Sequence, residues 1–181
     1  MYQPIKYEYK RILVRIFHLA TWPLTVPSIL FYEVFGITGV FNFCATLISL
    51  IPGMVGQYLR ASFYMQTLSK CSYDLAIGFC SFFSHPDSQV GYRVYIGSFS
   101  IIDPAFLEDD TLISSRVLIS KSISNDSELI RIGKESWVGE GAIIMHDVGE
   151  KCLIGAGCVV NRPISNGHVV VGHPMRTIEV E

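Results

Sequence analysis

From Ile77 onward an aliphatic or aromatic side chain returns every six residues. The series runs Ile77, Phe83, Val90, Ile96, Ile102, Leu107, Ile113, Ile119, then Ile132, Val138, Ile144, Val148, Ile154 and Val160, with slips of one or two residues. The next position is often glycine, as at Gly78, Gly91, Gly97, Gly133, Gly139, Gly149 and Gly155. Four beyond each aliphatic stands a small or β-branched residue, as at Ser81, Ser100, Ser136, Cys152 and Cys158. A period of six is neither the helical 3.6 nor the strand period of 2. It is the mark of a β-solenoid, whose short strands stack coil on coil and bury one continuous core. The recurrent glycine is expected to supply positive φ at a tight corner of each side. The repeats suffice for about four to five triangular coils.

A triangular coil fixes a stacking register. Ile77, Ile96, Ile113, Val138 and Ile154 then begin one wall, and Phe83, Ile102, Ile119, Ile144 and Val160 the next. Two residues further on, His85, Pro104, Lys121, His146 and Arg162 share one edge. The five cysteines form no CxxC pair, and the register places Cys152 and Cys158 inside as packed, reduced thiols.

Only 17% of residues are charged and the mean hydropathy is +0.38, an excess concentrated near the N-terminus. Between Ile16 and Leu59 there is no Lys or Arg, and Glu33 is the one residue carrying a formal charge. Two apolar blocks, "FHLATWPLTVPSILFY" and "VFGITGVFNFCATLISLIPGMVGQY", flank it, with Lys6, Lys10, Arg11 and Arg15 before them and Arg60 and Lys70 after. Basic residues on both flanks predict cytoplasmic ends, and so an apolar helical hairpin in the membrane, spanning or re-entrant. The alternative is a helix pair docked on a partner protein. The stretch is too long for a cleaved signal. Residues 1–70 are therefore read as a helical membrane-associated segment and 71–181 as the repeat domain. A net charge of −2 without a basic run excludes a nucleic-acid footprint.

The stretch "IGKESWVGEGAIIMHDVGEKCLIGAGCVVNRPISNGHVVVGHPM" resembles the hexapeptide-repeat acyltransferases. "PGMVGQYLRASFYMQTLSKCSYDLAIGFCSFFSHPDSQVGYRVYIGSFSII" is similar to their membrane-associated branch, found with bacterial polysaccharide synthesis. The resemblance implies a mainly β protein, a left-handed parallel β-helix forming a homotrimer with sites between neighbouring solenoids. It also implies acetyl-CoA as donor, a sugar or lipid-linked saccharide acceptor, and a place on the cytoplasmic face of the bacterial inner membrane. Residue by residue, it assigns Ala156 and Gly157 to the pantetheine arm, Arg162 and Arg176 to CoA, and Trp137 to the acyl group.

Transfer of acetyl to a hydroxyl needs a general base. By resemblance that base is a histidine in the loop at "SKSISNDSEL", and this loop has none. His146 is the candidate that the register supplies, one coil from Lys121 and one from Arg162, with Asp103 or Asp147 to orient it or the acceptor. His85 in "SHPDSQVG" is its rival. The spaced histidines of zinc-holding solenoids are absent, so no metal is expected. A catalytically silent trimeric scaffold in a polysaccharide-assembly complex is the competing function.

Overall fold

The computed structural model describes residues 4–120 and 129–178, with side chains from residue 16 onward. Lys121, placed by the register in the edge column, and the interruption over 121–128 lie outside the described residues. The repeat builds a three-walled parallel β-solenoid of about five turns, preceded by helices.

Strands at Lys70–Cys71, Gln89–Val90, Ala105–Leu107 and Ile130–Ile132 form the first wall, which bridges at Val148 and Ile164 continue. In the second wall Ile77, Ile96, Ile113, Val138, Ile154 and Val170 pair in line, as the period predicted for the first five. Phe83, Ile102, Ile119, Ile144 and Val160 pair likewise in the third. A final strand, Arg176–Ile178, folds back antiparallel on Val169–Val171 and closes the second wall.

Inward side chains of these columns are 0–1% exposed. Burying each is worth about 1.5–3 kcal/mol. The small inward position solves a different problem. At one corner the Ser81 hydroxyl donates to the Gly97 carbonyl at 2.6 Å and accepts from the Ser100 amide at 2.9 Å. Ser136 repeats this with the Gly149 carbonyl and the Cys152 amide. Corner amides and carbonyls that cannot join a ladder thus find partners inside. Cys152 and Cys158 are buried free thiols, and burial pushes the Cys158 thiol up.

The glycines do not do what the sequence suggested. Among the described residues positive φ falls two positions later, mostly on residues with side chains: Cys80, Arg93, Phe99, Asp110, Arg116, Glu135 and Lys151. The recurrent glycine is instead a contact point between coils. A Cβ on Gly139 would sit 2.6 Å from the Ala156 nitrogen, and one on Gly97 2.5 Å from the Ser115 nitrogen. At roughly 4.8 Å between coils, backbone meets backbone there. Gly139→Ala should therefore cost about 1–3 kcal/mol, the range of core overpacking. Lys151→Gly, at φ 55, should change stability by no more than about 1 kcal/mol. Thermal unfolding of the two variants checks this, and a Gly139→Ala protein as stable as the parent would refute the contact role.

The N-terminal segment is three helices, not a hairpin: α1 (Pro4–Phe35), α2 (Gly39–Ser49) and α3 (Gly53–Thr67). Pro52 and Gly53 break the second apolar block in two, while α1 runs through Pro23 and Pro27. No helix among the described residues is long and apolar enough to cross a membrane. Phe41, Cys44, Ala45, Ile48, Phe63 and Tyr64 are buried in one core with the first coil, so α2 and α3 close its open end. Arg60, expected as a basic flank, is 2% exposed and buried in that junction. Between α1 and α3 runs a polar seam. Gln66 donates to the Thr21 hydroxyl at 2.8 Å, and Thr21 and Ser62 lie 3.3 Å apart. The opposite face of α1, with Trp22, Val26, Ile29 and Leu30, is exposed, as are Phe43, Leu47 and Met54 beyond it.

Candidate active site

The edge where the third wall turns into the first carries the predicted column. His85 opens it on the first coil, and Pro104, His146 and Arg162 follow at the equivalent place of the second, fourth and fifth. His146 is half-buried. Neither carboxylate proposed to serve it is directed to it. Asp147 accepts the Arg131 amide at 2.9 Å, and Asp103 accepts the Ser84 hydroxyl at 2.7 Å, which ties the first coil to the second. His85 does have a carboxylate: its Nδ1 lies 3.2 Å from Asp87 Oδ2 and 3.3 Å from the Asp87 amide nitrogen. The other Asp87 oxygen accepts the Tyr32 hydroxyl from α1 at 2.7 Å. The Tyr32 ring meets the imidazole edge-on, with centroids 5.7 Å apart. That hydrogen bond, then burial and the charges of Asp87 and Glu33, push the Tyr32 phenol up to about 12. Tyr32 therefore remains a neutral donor.

The Asp87 amide N–H donates to Nδ1 and its carboxylate lies beside the same atom, so Asp87 holds the imidazole in one orientation. Tyr32 and Asp87 were missed from sequence. Asp87 sat within the quoted "SHPDSQVG", but nothing in the repeat shows that α1 returns to it.

Apart from Arg162, which shares the histidine edge, the residues assigned to the donor lie elsewhere. Trp137 is on the outer face of the second wall, half exposed, its indole N–H donating to the Ser114 hydroxyl at 3.0 Å. It stacks in line with Tyr95, Leu112 and Leu153, also exposed, in an apolar column. Ala156 and Gly157 form the next corner and are exposed. There the first three coils carry Cys80, Phe99 and Arg116 at the positive-φ position, while the fourth and fifth carry Gly141 and Gly157, whose missing Cβ would meet open space. Bare backbone is thus presented at the C-terminal half of this corner. A groove of about 460 Å³ lined by Ser98, Phe99, Ser115, Arg116, Glu140 and Gly141 adjoins it. Arg176 is exposed on the closing strand. Within one chain the second wall faces away from the edge that bears His85, His146 and Arg162, so the two sets do not meet. The remaining corner carries exposed pairs such as Arg131–Glu108 and Lys134–Glu150, each worth little. Among the described residues no cluster could hold a metal ion.

Neither a protein-family model nor a curated protein sequence matches the chain. Solved structures do resemble it. A maltose O-acetyltransferase from Clostridium difficile 630 superposes with a TM-score of 0.66 at 19% identity, over 77% of this chain and 83% of that one. A galactoside acetyltransferase in complex with coenzyme A gives 0.67 at 19%, over 78% and 80%. A hexapeptide-repeat acetyltransferase from Vibrio cholerae O1 biovar eltor, complexed with acetyl coenzyme A, gives 0.61 at 16%, over 76% and 85%. The chain therefore shares the fold of the hexapeptide-repeat acetyltransferases.

Proposed function

We propose that the protein is a coenzyme-A-dependent acetyltransferase acting on a hydroxyl of a cell-surface polysaccharide or its lipid-linked precursor. The observation that carries this reading is a solenoid likeness spanning about three quarters of the chain and most of three structures, all of acetyltransferases, two with coenzyme A or its acetyl form bound. The named acceptors, maltose and a galactoside, support a sugar hydroxyl. The exposed apolar face of α1 and α2, without a lysine or arginine between Ile16 and Leu59, supports a site on the cytoplasmic membrane surface of a bacterium. In this reading the face lies along the interface; among the described residues no helix is long and apolar enough to cross a membrane.

Separation of Trp137, Ala156, Gly157 and Arg176 from the histidine edge, which carries Arg162, supports a homotrimer. A neighbouring copy would bring its second wall, with the Tyr95, Leu112, Trp137 and Leu153 column, against the edge of the first. In the reaction the base takes the proton of the acceptor hydroxyl as its oxygen attacks the thioester carbonyl. The tetrahedral oxyanion then collapses to the ester and expels the coenzyme A thiolate, which takes up the proton. The Asp87 contact favours His85 as that base; His146 is the alternative, beside Arg162 on the same edge.

Calorimetry on full-length protein in detergent should show acetyl-CoA binding, weakened about tenfold or more in Arg162→Ala if its guanidinium meets a phosphate. Absence of binding by the parent protein would favour the silent scaffold.

A further inference from the structure

The one formal charge between Ile16 and Leu59, Glu33, lines a cleft of about 220 Å³ between α1 and the start of the first coil. Tyr32, Phe41, Gln66, Ser69 and Asp87 line it with Glu33. We propose that this cleft is the acceptor subsite, holding one uncharged sugar ring of a lipid-borne saccharide whose apolar chain lies along the exposed face of α1. The proposal rests on the acetyltransferase reading and names its acceptor site.

Its chemistry is that of a polyol site. The Glu33 and Asp87 carboxylates can accept from neighbouring sugar hydroxyls, while Ser69 and Gln66, whose protons go to the Asp87 and Ser88 carbonyls and to Thr21 and the Ser62 carbonyl, fix the walls. Tyr32 supplies aromatic surface for the ring's C–H face, above the buried Phe41. No lysine or arginine is among the described lining residues, and Glu33 and Asp87 would oppose a phosphate or an acidic sugar. The carrier phosphates must therefore stay outside. The volume is below the ~300–1,000 Å³ of drug-sized sites, which suits one ring rather than an oligosaccharide. Ile29 lines the cleft and is also exposed on the apolar face with Trp22, Val26 and Leu30, so sugar and lipid contacts are continuous. Asp87 joins the cleft to His85 at 3.2 Å, which brings a bound hydroxyl beside the candidate base. The lone charge in an otherwise apolar segment thereby acquires a purpose: it is spared where a sugar must be held.

The test uses full-length protein in amphipol and n-octyl β-D-glucopyranoside, below its micelle concentration, as the probe. Saturation-transfer NMR should show contacts at the sugar protons, and methyl β-D-glucopyranoside should bind about tenfold more weakly or worse. Glu33→Gln should weaken the octyl glucoside about tenfold, the loss of one charge-assisted hydrogen bond, and Tyr32→Phe should weaken it measurably. Acetyl-CoA affinity should be unchanged in both. Octyl sulfate binding as tightly as octyl glucoside, or both variants binding the glucoside as the parent does, would overturn the proposal. Sugar binding that depends on Glu33 in a protein without acetyl-CoA affinity would uphold the cleft and remove the acetyltransferase reading.

Discussion

Replacing His85 by alanine should lower the turnover of acetyl transfer by about 10²–10⁴-fold, the contribution of a positioned general base, while leaving acetyl-CoA affinity unaltered. The expectation comes from a pair of contacts: Asp87 Oδ2 at 3.2 Å from Nδ1, and Tyr32 holding the other Asp87 oxygen at 2.7 Å. A base so held loses little orientation on binding substrate. Asp87 acts through the imidazole, so Asp87→Asn should lower turnover less than His85→Ala and change the pH profile as the negative charge beside the ring is lost. His146→Ala is the control. The carboxylates nearest it in sequence and register are engaged by the Arg131 amide and by Ser84, and its loss should leave turnover near the parent value. The reverse pattern, collapse in His146→Ala with a normal His85→Ala, would move the chemistry three coils along the same edge.

Why the solenoid could be read and the site could not follows from the range of the interactions. The six-residue period is local, and each coil repeats the demands of the last: an aliphatic inward, a small residue inward, a glycine where backbones touch. The partners of Ile77 and Phe83 could therefore be named by counting, and five such pairs stand in the second wall and four in the third. Counting also placed His85, His146 and Arg162 on one edge. It could not supply Tyr32, which reaches Asp87 across 55 positions of chain. Nor could it assign Asp103 to Ser84 rather than to a histidine, since both lie on the edge and only side-chain direction decides.

The glycine error has the same form. Period and residue type were right, but the constraint is distance to the next coil, which no single coil contains. In the helical segment hydropathy found the apolar surface but could not divide it between core and exterior. Part of it is buried as the cap of the first coil, through Phe41, Ile48 and Phe63, and part remains outside.

The largest loss of stability should come from Arg60. Its side chain leaves α3 into the junction between α2 and the first coil. There Nη1 donates to the Ile51 carbonyl at 2.7 Å and to those of Ser49 and Ile48 at 3.3 and 3.4 Å, and Nε donates to the Ile77 carbonyl at 3.1 Å. These carbonyls lie at and just beyond the end of α2, with one from the first coil; those of Ser49 and Ile48 also accept the Cys80 and Ile51 amides. Among the described residues its hydrogen-bond partners are all backbone carbonyls. The helix C-terminus supplies the negative end, and burial holds the guanidinium below its usual range. Gly56 makes room for it: a Cβ there would collide with the Ile51 carbonyl and stand 2.9 Å from Nη1. Arg60→Met keeps most of the volume and removes every donor, so it should cost about 3 kcal/mol or more. Arg60→Lys should rescue little, because one ammonium cannot span from Ile77 to Ile51 as a planar fork does. Since coils depend chiefly on their neighbours, hydrogen exchange should rise first in α2 and around Ile77 and leave the ladder at Ile144 and Val160 protected. An Arg60→Met protein that unfolds at the parent temperature, with α2 still protected, would show that the cap is held by its apolar contacts alone.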